Sequence, residues 1–173
     1  LASCSAPQTD VPADLLYECM NTSFEEQGYQ LSDEIKALEV ELIAQGVLEN
    51  GSPNSVYSAF EQLAADALPS FTLDPEKHPA LFEIRPQQYI SKACRDSIQN
   101  LEADHPNSKV YALEKAMSEL RGSGEFSAQA IAQKELSILE REDLNNCYYH
   151  FSLMLQLVYV ADIDTGMALP DLD

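Results

Sequence analysis

Residues 147–161, CYYHFSLMLQLVYVA, constrain the fold more than any other part of the chain. Wound as a helix, the stretch is apolar nearly all round, the pattern of a helix buried among others. Such a helix needs neighbours whose apolar faces cover it from several sides. It is too short to cross a bilayer. Its fifteen residues, interrupted by His150, Ser152 and Gln156, fall below the roughly 20 that a spanning helix requires.

The neighbours can be read from period. Ala13, Leu16, Met20, Phe24 and Gln27 recur at steps of three and four, behind Pro12 and ahead of a stop at Gly28. Ser32, Asp33 and Glu34 supply a cap and first-turn acids for a second helix, with Ile35, Leu38, Leu42 and Ile43 as its stripe. The two should form an αα-hairpin. Asn50-Gly51-Ser52-Pro53-Asn54 then reads as a loop. Val56, Tyr57, Phe60, Leu63 and Ala64 mark a third helix, ending before Pro69. Further stripes follow at Ile90, Cys94, Ile98 and Leu101, and at Val110, Leu113, Met117 and Leu120 behind a cap at Asn107 or Ser108. Ile131, Leu136 and Leu139 lie on a helix over 127–141, and 143–161 should form the last and most buried one.

Residues 70–86, SFTLDPEKHPALFEIRP, break the pattern with three prolines and no helical stripe. They read as a long connection with extended pieces at 71–73 and 81–84, either packed over the bundle or functional. The expected fold is therefore all-α. It is a six- or seven-helix bundle over 12–161 with a flexible N-terminal tether over 1–11, one long loop at 70–86 and an acidic tail at 162–173.

Acids outnumber bases 29 to 10, a net charge of −19. Nucleic acid is an unsuitable partner, because phosphates are neutralised by Lys and Arg. Docking on an anionic leaflet also needs basic clusters. A protein partner with a basic patch suits this charge, and its binding should be salt-sensitive.

No catalytic constellation emerges. Glu102-Ala103-Asp104-His105 has the Glu-x-x-His spacing of helical di-metal sites, but such a site needs a second copy that the chain lacks. Asp162-Ile163-Asp164-Thr165-Gly166 begins like a calcium loop and then misplaces its glycine and its closing glutamate. Tyr148, Tyr149, His150 and Tyr159 on so apolar a helix read as packing tyrosines around a hydrogen-bonded core histidine. Asn21-Thr22-Ser23 and Asn50-Gly51-Ser52 fit the glycosylation sequon. No cofactor, metal or catalytic residue is assigned, and an enzyme is not expected.

Leu1-Ala2-Ser3-Cys4 resembles the lipobox of bacterial lipoproteins. The resemblance covers these four residues only. It implies that Cys4 carries a thioether-linked diacylglycerol and that residues 5–12, small, polar and proline-containing, serve as the tether. Ser5, where inner-membrane lipoproteins carry Asp, implies the outer membrane and a periplasm-facing domain. The expected function is then a membrane-anchored, non-catalytic accessory or scaffold subunit of an envelope complex. If Cys4 is acylated, Cys19, Cys94 and Cys147 are either buried free thiols on their apolar stripes or hold one disulfide, for which a bridge between Cys94 and Cys147 is the preferred one. The alternative is a secreted, disulfide-bonded helical ligand with all four cysteines paired; a helical metalloprotein or enzyme comes third.

Overall fold

The computed structural model describes residues 10–163. Eight α-helices occupy most of them: α1 (Val11–Glu26), α2 (Leu31–Ala44), α3 (Pro53–Ala64), α4 (Pro79–Glu83), α5 (Lys92–Gln99), α6 (Lys109–Ser123), α7 (Ala128–Leu136) and α8 (Cys147–Leu157). The only sheet among the described residues joins β1 (Thr72–Leu73) to β2 (Asp162–Ile163) in parallel. The fold is all-α, with one short helix more than the sequence suggests.

Local chemistry explains where the helices start and stop. Asp10, Ser52, Ser91, Ser108, Ser127 and Asn146 each accept a backbone N–H of the helix that follows. These caps satisfy donors that a helix start leaves orphaned. After α1, Gly28 adopts φ 85°, Gly28 N–H donates to Glu25 and Tyr29 N–H donates to Phe24. That is a Schellman closure, and glycine takes the left-handed turn at no steric cost. Ser32 is not the second cap, because α2 begins one residue before it, behind Gln30.

The core is organised around α8, which packs on α1, α2 and α3. Tyr149, His150, Phe151, Leu153, Met154, Leu155 and Leu157 are all buried, while Tyr148, Ser152 and Gln156 form a half-buried line along one side. Ala13, Leu16, Met20 and Phe24 come from α1, Leu31, Ile35, Leu38 and Leu42 from α2, and Val56 and Phe60 from α3. Each buried Leu or Phe contributes roughly 1.5–3 kcal/mol. α7 lies on α3, where Gln133 donates to the Ala64 carbonyl (2.9 Å). The Arg141 guanidinium covers the Tyr57 ring at 4.6 Å and donates to Ser58 (3.2 Å), fastening the turn before α8 to α3.

Residues 70–86 are packed over the bundle. Phe71, Leu73, His78, Ala80, Leu81 and Ile84 are buried. The expected extended piece at 71–73 is present as β1. The one at 81–84 is instead the end of α4, which starts at Pro79, a residue pre-set for a first helical turn. Gln45 closes the outer edge of β1: its side-chain amide donates to the Thr72 carbonyl (2.6 Å) and accepts the Thr72 N–H (2.9 Å). On the inner edge, Asp162 N–H donates to the Phe71 carbonyl (2.8 Å). The first two residues of the acidic tail are thus paired to the mid-chain segment. The remainder of that tail and the tether before residue 10 lie outside the described residues.

The final helix is also divided. Residues 141–145 form a 3-10 turn and α8 begins at Cys147. Asn146 separates them in an extended conformation, its side chain accepting the Tyr148 N–H (2.9 Å).

Candidate functional site

Three helix N-termini meet at one cleft of about 400 Å³, lined by residues from the starts of α1, α6 and α8 and from the turn before α8. The caps that begin these helices also join them. Asp10, cap of α1, accepts the Ser108 hydroxyl on Oδ1 (2.7 Å) and the Tyr149 hydroxyl on Oδ2 (2.6 Å). Ser108 is itself the cap of α6. Asn146, cap of α8, donates from Nδ2 to Asp14 on α1 (2.7 Å). Lys109 reaches the Asp143 carboxylate and lies 3.8 Å from Glu140.

Converging N-termini carry partial positive charge and would ordinarily invite an anion. Here the chain supplies its own. Asp10 and Asp14 answer the dipole of α1, and Asp143 takes Lys109. Burial, reinforced by the hydrogen bond to Asp10, holds the Tyr149 hydroxyl well above the usual phenol range. It stays a donor at every physiological pH. Ser108 spends its proton on Asp10 and accepts the Val110 N–H (3.3 Å), so its hydroxyl is not presented as a nucleophile. The arrangement is a polar knot that docks α1, α6 and α8. Asp10→Ala should lose about 2 kcal/mol, because it strips a cap and orphans two hydroxyl donors. Asp10→Asn should lose less, its amide oxygen still capping α1. Urea unfolding of both variants measures this; equal losses would remove capping as the source.

Among the described residues, four buried side chains elsewhere have unmet polar atoms: Glu39, His78, Glu135 and His150. His150 is fully buried and neither ring nitrogen has a hydrogen-bond partner. It is a core histidine, as its helix suggests, but not the hydrogen-bonded one expected. Burial pushes it down to about 4, while the Leu144 backbone pulls the other way. Glu135 on α7 is likewise buried, pushed up to about 7 by burial while its hydrogen bond from Gln156 (2.6 Å) pulls the other way. Its second oxygen has no partner. Nothing singles out Glu135 in composition, yet it stands four residues from both Ile131 and Leu139. Its place on the apolar stripe was the available signal.

The tyrosines near His150 make separate contacts. Tyr149 bonds Asp10, whereas Tyr159 meets the Tyr89 hydroxyl at 3.2 Å. His105 lies at the rim of the cleft with Asp104. Among the described residues, no three His, Cys, Asp or Glu side chains stand close enough to hold a metal ion.

The cysteines differ from expectation. Cys94 on α5 is bonded to Cys19 on α1, with Cα atoms 6.5 Å apart. The bridge between Cys94 and Cys147 is therefore not formed. The cause is layering: α5 and α8 each pack on α1 rather than on one another. Cys147 is disulfide-bonded as well. Cys4, the expected lipidation position, lies outside the described residues. Among those described, no helix is long and apolar enough to cross a membrane. No family model matches this chain, and no match was found to a curated protein or to a solved structure.

Proposed function

We propose that the chain is a non-catalytic accessory or scaffold domain that works outside the cytoplasm and engages a protein partner with a basic patch. The observation that carries this is the disulfide between Cys19 and Cys94, which bridges two helices packed on each other. Such bonds persist in oxidising compartments and are rare in reducing ones. The net charge of −19 supports the choice of partner.

The lipobox-like start supports one address, the periplasmic face of an outer membrane, with acylated Cys4 as the anchor. A specific observation favours a second address. Cys147 also being disulfide-bonded suits a released, disulfide-braced helical ligand. Both readings share the partner chemistry. Affinity capture on the oxidised domain should recover a basic protein at about 50 mM salt and lose most of it by about 300 mM, where the screening length has roughly halved. If capture is equally strong at both, or no basic protein is enriched, the reading fails.

A further inference from the structure

We propose that residues 74–84 form an acid-released strap over the bundle, and that His78 is the group that releases it. His78 is 2% exposed, and neither of its ring nitrogens has a hydrogen-bond partner. It begins α4 with its backbone alone: the carbonyl accepts the Leu81 N–H (3.1 Å), and the side chain makes no capping bond. A neutral imidazole left unpaired in the interior already costs stability. A protonated one brings a charge and two N–H donors to the same place, which costs far more.

The strap is fastened at its ends and loosely between them. Just before it, Gln45 holds Thr72 through two hydrogen bonds, and β1 pairs with β2. Near its end, the Tyr29 hydroxyl donates to Glu83 (2.6 Å). Among the described residues, no hydrogen bond ties 75–82 to another element. Pro75 and Pro79 have no N–H to offer. One ion pair reaches across, from Lys77 to Glu41 on α2 at 3.7 Å, and the lysine side chain is mostly exposed. Such pairs contribute little. The middle of the strap is therefore held by the burial of His78, Ala80 and Leu81, and charging His78 turns one of these three against closure.

The charged groups that face the ring are Glu41 from α2 and Asp74 and Lys77 from the strap itself. The two carboxylates favour the charged ring and the lysine opposes it. Burial outweighs them and holds the imidazole below its ordinary 6.5. In an open strap the ring is in water and titrates near 6.5. Closure is thus fully favoured above 6.5, and that advantage is lost as pH falls through the lower, closed-state value. Opening presents Ala80, Leu81 and Ile84 to solvent, an apolar edge that the protein keeps covered at neutral pH.

The test is hydrogen exchange of the full chain at about pH 7.5 and about pH 5, each rate divided by the intrinsic rate at that pH and read peptide by peptide. At the lower pH the protection of 76–84 should fall several-fold, while that of α8 is kept. His78→Leu should hold the strap closed at both and abolish the difference. Equal protection at the two pH values, or loss of α8 protection in step with the strap, would overturn the inference. So would a His78→Leu chain that still opens in acid. The native protein supplies a second reading that needs no variant. In an NMR titration the His78 ring should titrate below 6.5, with the Leu81 and Ile84 methyls shifting along the same curve. A ring that titrates at 6.5 or above, or methyls that do not follow it, would sink the idea as surely.

Discussion

Replacing Cys19 and Cys94 together by serine should cost about 4 kcal/mol of stability. The bridge spans a sequence separation of 75, and closing a loop of that size removes roughly this much denatured-state entropy. The loss should be local before it is global. α5 has eight residues and one fully buried side chain, Ile98. Isolated helices of that length are marginal in water. Apart from the bridge, α5 is held by Ile98, by partly buried neighbours such as Ile90, and by the Tyr111 hydroxyl, which donates to the Ile98 carbonyl (2.7 Å). Hydrogen exchange should show α5 opening first in the double variant, while α8 stays protected. Serine at both positions keeps the Cys147 bond out of the comparison. A loss below about 1 kcal/mol would mean that native-state strain in the bridge offsets its entropic effect.

Glu135→Gln should stabilise the protein by up to about 3 kcal/mol at pH 8 and change the shape of its pH dependence. The folded carboxyl titrates near 7 and the unfolded one near 4.5. Below 4.5 it is protonated in both states and costs nothing. Between 4.5 and 7 the unfolded chain ionises first, so stability falls as pH rises, and above 7 the penalty is complete. His150 has the opposite sign. It titrates near 6.5 unfolded and near 4 folded, so its contribution is intact above 6.5 and is lost as pH falls toward 4. From 4.5 to 6.5 the two slopes cancel, and this pair should leave the native protein almost insensitive to pH there.

Each substitution should therefore uncover the slope of the other group. Glu135→Gln should weaken steadily on acidification below pH 6.5, whereas His150→Leu should strengthen. Relief of repulsion among surface acids adds to both curves and to the native one, and it cancels in the differences. Denaturant midpoints from pH 4 to 9 measure all three. Parallel curves for native protein and Glu135→Gln would show that Glu135 is not the buried titrating group described here.

Most helices were legible because their causes are local. Cap residues and three-four stripes sit within one turn of the structure they determine. Failures came where the cause is brief or distant. α4 is five residues long, too short to display a period, so Leu81 and Ile84 looked extended. The break before α8 depends on the Asn146 side chain folding back on its own helix, which competes with an apolar run that continues through it. The partner of Cys94 depends on α1 lying between α5 and α8, a matter of layers that no spacing encodes. The cleft was not anticipated at all. Asp10, Ser108 and Tyr149 come from three separated segments and carry no joint signature. Of the three, the sequence offers Ser108 as one of two caps and Tyr149 as a packing tyrosine.

The place of α8 in the chain sets when folding can finish. The helices made first, α1, α2 and α3, bury their stripes against a helix made last among the eight. Until it emerges they have no centre to close on, and long-range contacts form only after the loop entropy of the whole chain has been spent. A nascent chain of this design stays open through most of its synthesis. The core is therefore completed in one late step, when α8 joins the helices already made.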